Sequence, residues 1–339
     1  MTKRVAAIDC GTNSIRLLIA DLNKESDQSE RGRGASEPGH PSPASLTDVT
    51  RQMRIVRLGE GVDRTGRLSA AALDRTMAAL TEYARLIADA KPEAVRMVAT
   101  SATRDAANAQ EFTDRVRQIL GVAPEVITGD EEAWLSFTGA TRELAGTPLA
   151  AECPPPYLVT DIGGGSTEFV LGPDAAGASR QVSRDQILSR SVNIGCVRLT
   201  ERHLHNDPPL PAEIAATVKD IDAALGQVAA AVPAEKARTL VGLAGSVTTV
   251  AAIALGLDEY DSDRTHHSRI SAGRVHETAD ALLAMRRAER AAIPVMHPGR
   301  VDVIGAGALI LDRIMATFGF TEVLVSEHDI LDGIAWSEA

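Results

Sequence analysis

The chain uses the same short pattern twice. VAAIDCGTNSIRLLIAD near the N-terminus and LVTDIGGGSTEFVL near the middle each hold an apolar run, an Asp-x-Gly-x-x-Ser turn and a second apolar run. Asp9, Gly11 and Ser14 of the first copy thereby fall on Asp161, Gly163 and Ser166 of the second. Apolar runs bounded by a short glycine turn read as paired strands. A hairpin turn needs only one or two flexible residues, so the run Gly163, Gly164, Gly165 is costly in backbone entropy. Close approach of backbone N–H groups to a large anion offsets such a cost. Two copies far apart in sequence point to duplicated domains facing each other across a cleft. Two unrelated glycine hairpins that share three common turn residues would give the same letters, and only topology separates the cases.

Around these hairpins strands alternate with helices, the pattern of an α/β chain. Residues 4–9 and 14–21 read as strands. Residues 23–49 are rich in Ser, Gly, Pro and charge and nearly free of apolar side chains, so they are expected to be a mobile loop without a role in catalysis. MRIVRLGEG resumes a strand. LSAAALDRTMAALTEYARLIADA places Leu73, Met77, Leu80, Ala84 and Ile87 on one helical stripe. AVRMVATSA, PEVITG, TLVGLAG and EVLVSE read as strands. GDEEAWLSFTGATREL, SVTTVAAIALG, VHETADALLAMRRAER, VDVIGAGALILDRIMATFG and LDGIAW read as helices. Two domains are expected, 1–128 and 129–339, with the last helix a candidate to pack back on the first.

With 339 residues and a hydrophobic fraction of 44%, there is material for a large core. No apolar run reaches membrane-spanning length, and MTKRVAAID enters a strand without a signal-peptide core. The three cysteines, Cys10, Cys153 and Cys196, lack metal-ligand spacing, which fits a reducing cytoplasm. A net charge of −11 argues against general nucleic-acid binding, yet leaves room for a polyanionic substrate in a locally basic site.

The turns at 9–14 and 161–166 can each present N–H groups to phosphate oxygens. Asp9 and Asp161 at the strand ends would repel phosphate unless a cation lies between, and Mg²⁺ fits that place. Gly245 and Ser246, between a strand and a helix, make a third anion-binding candidate. In TGDEEAWLS, Thr128 and Glu131 match a capping box. Glu132 lies about 100° further round the helix and is free to face a cleft.

DCGTNSIRLLI, TSATRDA, TGDEEA, DIGGGSTE, GSVTT and VIGAGALIL occur in that order over nearly the whole chain. Together they resemble the exopolyphosphatase and guanosine pentaphosphate phosphohydrolase family, in its short two-domain form. The resemblance implies two actin-like, ribonuclease H-like ATPase domains with a cleft between them. It implies hydrolysis of the terminal phosphoanhydride of inorganic polyphosphate, with pppGpp as the alternative substrate. It makes Glu132 the general base. It gives phosphate binding to Asn13, Ser14, Arg104, Gly163, Gly164, Gly165 and Ser166, with Arg16, Arg198, Gly245 and Ser246 as further contacts to the phosphate chain. Asp9, Asp161 and Glu168 become Mg²⁺ ligands, with K⁺ as a second candidate ion. A cytoplasmic homodimer is expected, with no nucleic-acid or membrane partner. Two positions depart from the family pattern: Trp134 where a basic residue is common, and Leu331 where an arginine is.

Cys10 and Arg16 also spell Cys-x5-Arg, the string of cysteine phosphatases, but here it runs into a strand rather than a helix, which leaves Cys10 as a small buried side chain. A kinase or a non-enzymatic nucleotide sensor of the same superfamily would share the paired hairpins. A kinase excludes water, whereas a hydrolase must position it, and Glu132 favours the latter. His266, His267 and the His328–Asp329 pair read as structural.

Overall fold

The computed structural model describes residues 2–23, 45–142, 144, 149–173 and 182–339. The first sheet holds β1 (Thr2–Cys10), β2 (Ser14–Asn23), β3 (Ser45–Ile55), β4 (Ala94–Ala99) and β5 (Glu125–Val126), in the order β3-β2-β1-β4-β5. The second holds β6 (Tyr157–Ile162), β7 (Thr167–Leu171), β8 (Leu188–Val192), β9 (Thr239–Leu243), β10 (Arg269–Ser271) and β11 (Glu322–Val325), in the order β10-β11-β9-β6-β7-β8. Without its edge strand β10, the second sheet reads β8-β7-β6-β9-β11 and matches the first strand for strand. Directions match as well. The first two pairings of each unit are antiparallel (β1 with β2, β2 with β3; β6 with β7, β7 with β8). The next two are parallel (β1 with β4, β4 with β5; β6 with β9, β9 with β11). The repeated sequence pattern therefore fills the same hairpin in both units, β1–β2 and β6–β7. Shared topology separates duplication from coincidence, and the chain is a pair of α/β, actin-like domains.

Helix α1 (Ala70–Ala90) lies on the first sheet through Leu73, Met77, Leu80 and Tyr83. It starts where Ser69 Oγ accepts the Ala72 N–H at 3.2 Å, satisfying one of the amides a helix start leaves unpaired. Helix α2 (Ala109–Leu120) packs beside it through Phe112 and Val116. Helix α3 (Gly129–Thr141) joins the two halves. Ala133 and Phe137 pack on the second sheet with Val159 and Val241, while Leu135 packs with Val5 and Leu18 of the first. The second domain continues with α4 (Cys196–His203), α5 (Pro211–Ala231), α6 (Ala244–Ala254), α7 (Ala272–Ala284) and α8 (Ile304–Phe318). The last helix, α9 (Ile330–Trp336), lies against β1 and crosses α3 with backbone nearly touching backbone. A Cβ at Gly333 would stand 2.0 Å from the Leu135 carbonyl oxygen, and one at Gly139 1.8 Å from that of Asp329. Only glycine allows this crossing.

Several boundaries differ from the sequence expectation. β3 begins at Ser45, paired with Asn23 of β2, so both ends of the expected 23–49 loop are strand. Residues 24–44 lie outside the described residues. MRIVRLGEG is strand only as far as Ile55. The expected helix VHETADALLAMRRAER is two helices, because α7 ends at Ala284 and Glu289 Oε2 accepts the Arg286 N–H to start a new turn, Arg287–Ala291. Strand β8 and helices α4 and α5 were not anticipated. Among the described residues no helix is long and apolar enough to cross a membrane.

Candidate active site

The two hairpin turns meet at a cavity of about 100 Å³ between the domains. From the first hairpin it is lined by Asp9, Gly11, Thr12, Asn13, Ser14 and Arg16, and from the second by Asp161, Gly163, Gly164 and Ser166. Glu132, Ser101, Gly245, Ser246 and Arg300 complete the wall. The turns also touch each other: a Cβ built on Gly165 would lie 2.7 Å from Thr12 Oγ1 and 2.6 Å from Ser101 Oγ.

Helix α4 shapes the glycine loop. The Cys196 N–H donates to Gly163 O at 3.0 Å and the Val197 N–H to Gly164 O at 2.9 Å. Loop carbonyls are thus drawn to a helix N-terminus and away from the cavity, so an anion there does not meet them. At α6, the residue before the helix is Leu243, which offers no side-chain oxygen to its first amides. Gly245 and Ser246 therefore bring a helix start without a side-chain cap to the cavity wall.

The carboxylates are unusual. Glu132 is 7% exposed. Burial pushes its pKa up to about 7 against the opposing pull of Arg104, and Asp161 and Asp9 push in the same direction as burial. Arg104 Nη1 holds Glu132 Oε2 at 3.0 Å and also donates to Ile127 O at 3.0 Å. Asp161 Oδ2 accepts from Ser136 Oγ at 2.7 Å, and its pKa is pushed up to about 6 by burial and then by Asp329. Glu168 accepts from Ser191 Oγ at 2.7 Å. Burial, followed by Glu132 and Asp161, holds it well above the usual carboxylate range. Asp9 Oδ2 takes two bonds from Arg16, at 2.6 and 3.0 Å. Asp9 Oδ1 and Asn13 Oδ1 are buried without a hydrogen-bond partner.

The structure thus brings Asp9, Asn13, Ser14, Arg16, Glu132, Asp161, Gly163, Gly164, Ser166, Gly245 and Ser246 to one cavity. Arg104, Gly165, Glu168 and Arg198 are not among the residues that line it. Arg104 is paired with Glu132, because the one-turn helix Ser101–Arg104 ends beside the start of α3. Arg16, expected on the phosphate chain, is committed to Asp9 and Asp329. Arg198 is spent on Asp63, Asp105 and Gly165 O. Among the described residues no three His, Cys, Asp or Glu side chains gather into a metal-holding set, so Asp9, Asp161 and Glu168 do not form a three-carboxylate cage.

Thr128 caps α3 by accepting the Glu131 N–H at 3.2 Å, but the Glu131 carboxylate goes to Arg96 and Arg184 instead of returning to the cap. Only half of the expected box forms. Cys10 is buried on β1, its thiol pushed well above the ordinary range by burial and then by Asp9, which disfavours the nucleophilic thiolate. Trp134 donates from Nε1 to Val182 O at 3.3 Å and lies under the Arg184 guanidinium. Leu331 is buried against β1 and β2. The sequence reasoning missed Thr12, Ser101, Asp329 and Arg300. Arg300 had no local signal, since its place depends on the fold carrying MHPGRVD to the start of α6, where Nη1 donates to Thr249 Oγ1 at 3.0 Å.

The Ppx/GppA phosphatase family model matches residues 36–339. The chain belongs to the Ppx/GppA phosphatase family. Within this family it is 46% identical to Exopolyphosphatase 2 of Mycobacterium tuberculosis, over 99% of this chain and 98% of that protein. It is 26% identical to the guanosine-5'-triphosphate,3'-diphosphate pyrophosphatase of Aeromonas salmonicida, over 98% of this chain but 58% of that longer protein. Among solved structures, an exopolyphosphatase-like protein superposes with a TM-score of 0.86 at 42% identity, covering 99% of this chain and 98% of the other. The Aquifex aeolicus Ppx-GppA enzyme gives 0.74 at 31% identity, covering 99% and 100%.

Proposed function

We propose that this Ppx/GppA protein is an exopolyphosphatase that hydrolyses the terminal phosphoanhydride of inorganic polyphosphate and releases orthophosphate. The observation that carries this reading is Glu132: a buried carboxylate with a pKa pushed up to about 7, on the wall of a cavity flanked by two glycine turns. A general base works best when its pKa lies near the operating pH. Glu132 takes the proton from an in-line water, and no covalent intermediate is formed. Gly163, Gly164 and Ser166, with Asn13 and Ser14 opposite, bind the terminal phosphoryl oxygens, and preorganised donors of this kind stabilise charge developing in the transition state. Arg104 orients the base and is the cation nearest to it.

The donors suit a hard cation held by few protein oxygens. Asp9 Oδ1 and Asn13 Oδ1 are the unpartnered candidates, with Asp161 beside them. Mg²⁺ takes one or two carboxylates and fills its remaining positions with water and phosphate. Bound there, it would supply positive charge to the transferring phosphoryl group.

One observation favours pppGpp as a second substrate. A cavity of about 410 Å³ adjoins the first through Arg16 and Arg300, and is lined in part by Met53, Val295, Met296 and Tyr260. Its mixed wall has room for a nucleoside, which a linear polyphosphate lacks. Phosphate release from long polyphosphate, tripolyphosphate, pppGpp and ATP with Mg²⁺ tests both readings. Turnover of polyphosphate supports the first; turnover of pppGpp with polyphosphate inert would replace it with the second.

A further inference from the structure

We propose that Arg198 is a positioning residue that clasps the cleft, tying the glycine loop of the second domain to the turn of the first that carries Arg104. This inference rests on the hydrolytic reading above. Its basis is the reach of one guanidinium. Arg198 Nε donates to Gly165 O at 2.7 Å, within the glycine loop. Nη1 meets Asp63 Oδ1 at 2.5 Å and Nη2 meets Asp105 Oδ2 at 2.5 Å, both on the first domain. Asp105 directly follows Arg104, the residue that holds the base. The Arg198 side chain is only 11% exposed, so these contacts are sheltered from bulk water.

The same helix shapes the loop. The α4 N–H groups of Cys196 and Val197 draw down the carbonyls of Gly163 and Gly164. A Cβ on Gly195 would stand 2.3 Å from Gly164 O, so glycine is needed for that contact. α4 therefore turns the loop toward the cavity with its backbone and grips the facing domain with one side chain. A charged fork with three acceptors fixes both distance and angle, which a lysine cannot do. When the clasp opens, the glycine loop and the Arg104–Glu132 pair lose their common reference. A misplacement of about 1 Å in an active site costs on the order of 10²-fold in rate.

Arg202 provides the control. It pairs with the same Asp63 and with Asp220 but makes none of the glycine-loop contacts. The experiment compares Arg198→Met, Arg198→Lys, Asp105→Asn, Arg202→Met and the double variant Arg198→Met/Asp105→Asn in steady-state hydrolysis of tripolyphosphate with Mg²⁺, with Tm measured alongside. Arg198→Met is expected to lower kcat by about 10²-fold while KM changes by less than about threefold, because the loss falls on alignment rather than on binding. Arg198→Lys should recover part of it. Arg202→Met should stay within about twofold of the parent, since exposed pairs contribute little. The double variant should be no worse than Arg198→Met alone, as expected for residues acting through one contact. Equal losses in Arg198→Met and Arg202→Met, or effects of Arg198→Met and Asp105→Asn that simply multiply, would overturn the clasp. If Arg198→Met does not fold, Arg198→Lys and Asp105→Asn carry the same test, and parental kcat in both overturns it. A parent protein inert on every phosphoanhydride would instead overturn the hydrolytic reading.

Discussion

Acidification should silence this protein well before an ordinary glutamate would protonate. Glu132 stands at about 7 where the ordinary value is 4.5, because burial outweighs Arg104. At pH 6 only about a tenth of such a group is ionised, whereas a group at the ordinary value is almost fully ionised. Since kcat/KM follows the free enzyme, it should rise about tenfold from pH 6 to a plateau above pH 8. A terminal phosphate titrates near pH 6 as well, at about that value for a phosphomonoester, so a variant must separate the two. Arg104→Met does so. The guanidinium lowers the Glu132 pKa, and its removal should carry the acid limb to still higher pH while leaving the substrate's own titration in place. The assay is initial phosphate release from tripolyphosphate at subsaturating concentration between pH 5 and 9. An acid limb centred near the ordinary glutamate value, or one that stays put or moves down in Arg104→Met, would refute a buried, arginine-restrained base.

Stability should carry the same signature with the opposite consequence. A folded-state pKa raised above the unfolded value penalises the ionised form, so the penalty is absent below about pH 4.5 and complete above about pH 7. Glu132→Gln should therefore raise Tm by about 2–4 °C at pH 8 and leave it unchanged at pH 4.5; equal shifts at both would count against the raised pKa. Gly333→Ala should cost about 1–3 kcal/mol in urea unfolding, since its Cβ would meet the Leu135 carbonyl oxygen at 2.0 Å; an unchanged midpoint would mean α3 and α9 do not cross this tightly. Replacing residues 24–44 with a short Gly-Ser linker should keep turnover within about twofold, because closure entropy depends weakly on loop length. A large loss would show that the segment binds substrate.

What was legible in the sequence was local. The Asp-x-Gly-x-x-Ser turns specify two hairpins because strand, glycine turn and strand are fixed by neighbouring residues, and their repetition pointed to duplicated domains. Glu132 stood out because its neighbour Glu131 had another position to fill at the helix start. What the sequence hid was long-range. Nothing near Arg198 says that its guanidinium reaches Asp63, 135 positions away. Nothing near Arg16 says that it meets Asp329 across 313 positions. Sequence makes both candidates for the phosphate chain, because an arginine beside a glycine turn looks alike whether it faces substrate, a distant carboxylate or both. Helix α5 lies outside every motif, and its apolar positions Ile221, Leu225 and Val228 only pack the core.

Glu132→Gln bears most directly on the water-attack mechanism. Glutamine keeps the shape and the hydrogen bond to Arg104 but cannot accept the water's proton, so kcat on tripolyphosphate should fall by about 10²–10⁴. Glu131→Gln, whose carboxylate pairs with Arg96 of β4 and with Arg184 and does not line the cavity, should remain near the parent. Cys10→Ser should keep most of the turnover, because burial keeps the thiol in its non-nucleophilic protonated form. Full activity in Glu132→Gln, or a dead Cys10→Ser beside it, would contradict catalysis by a glutamate-activated water.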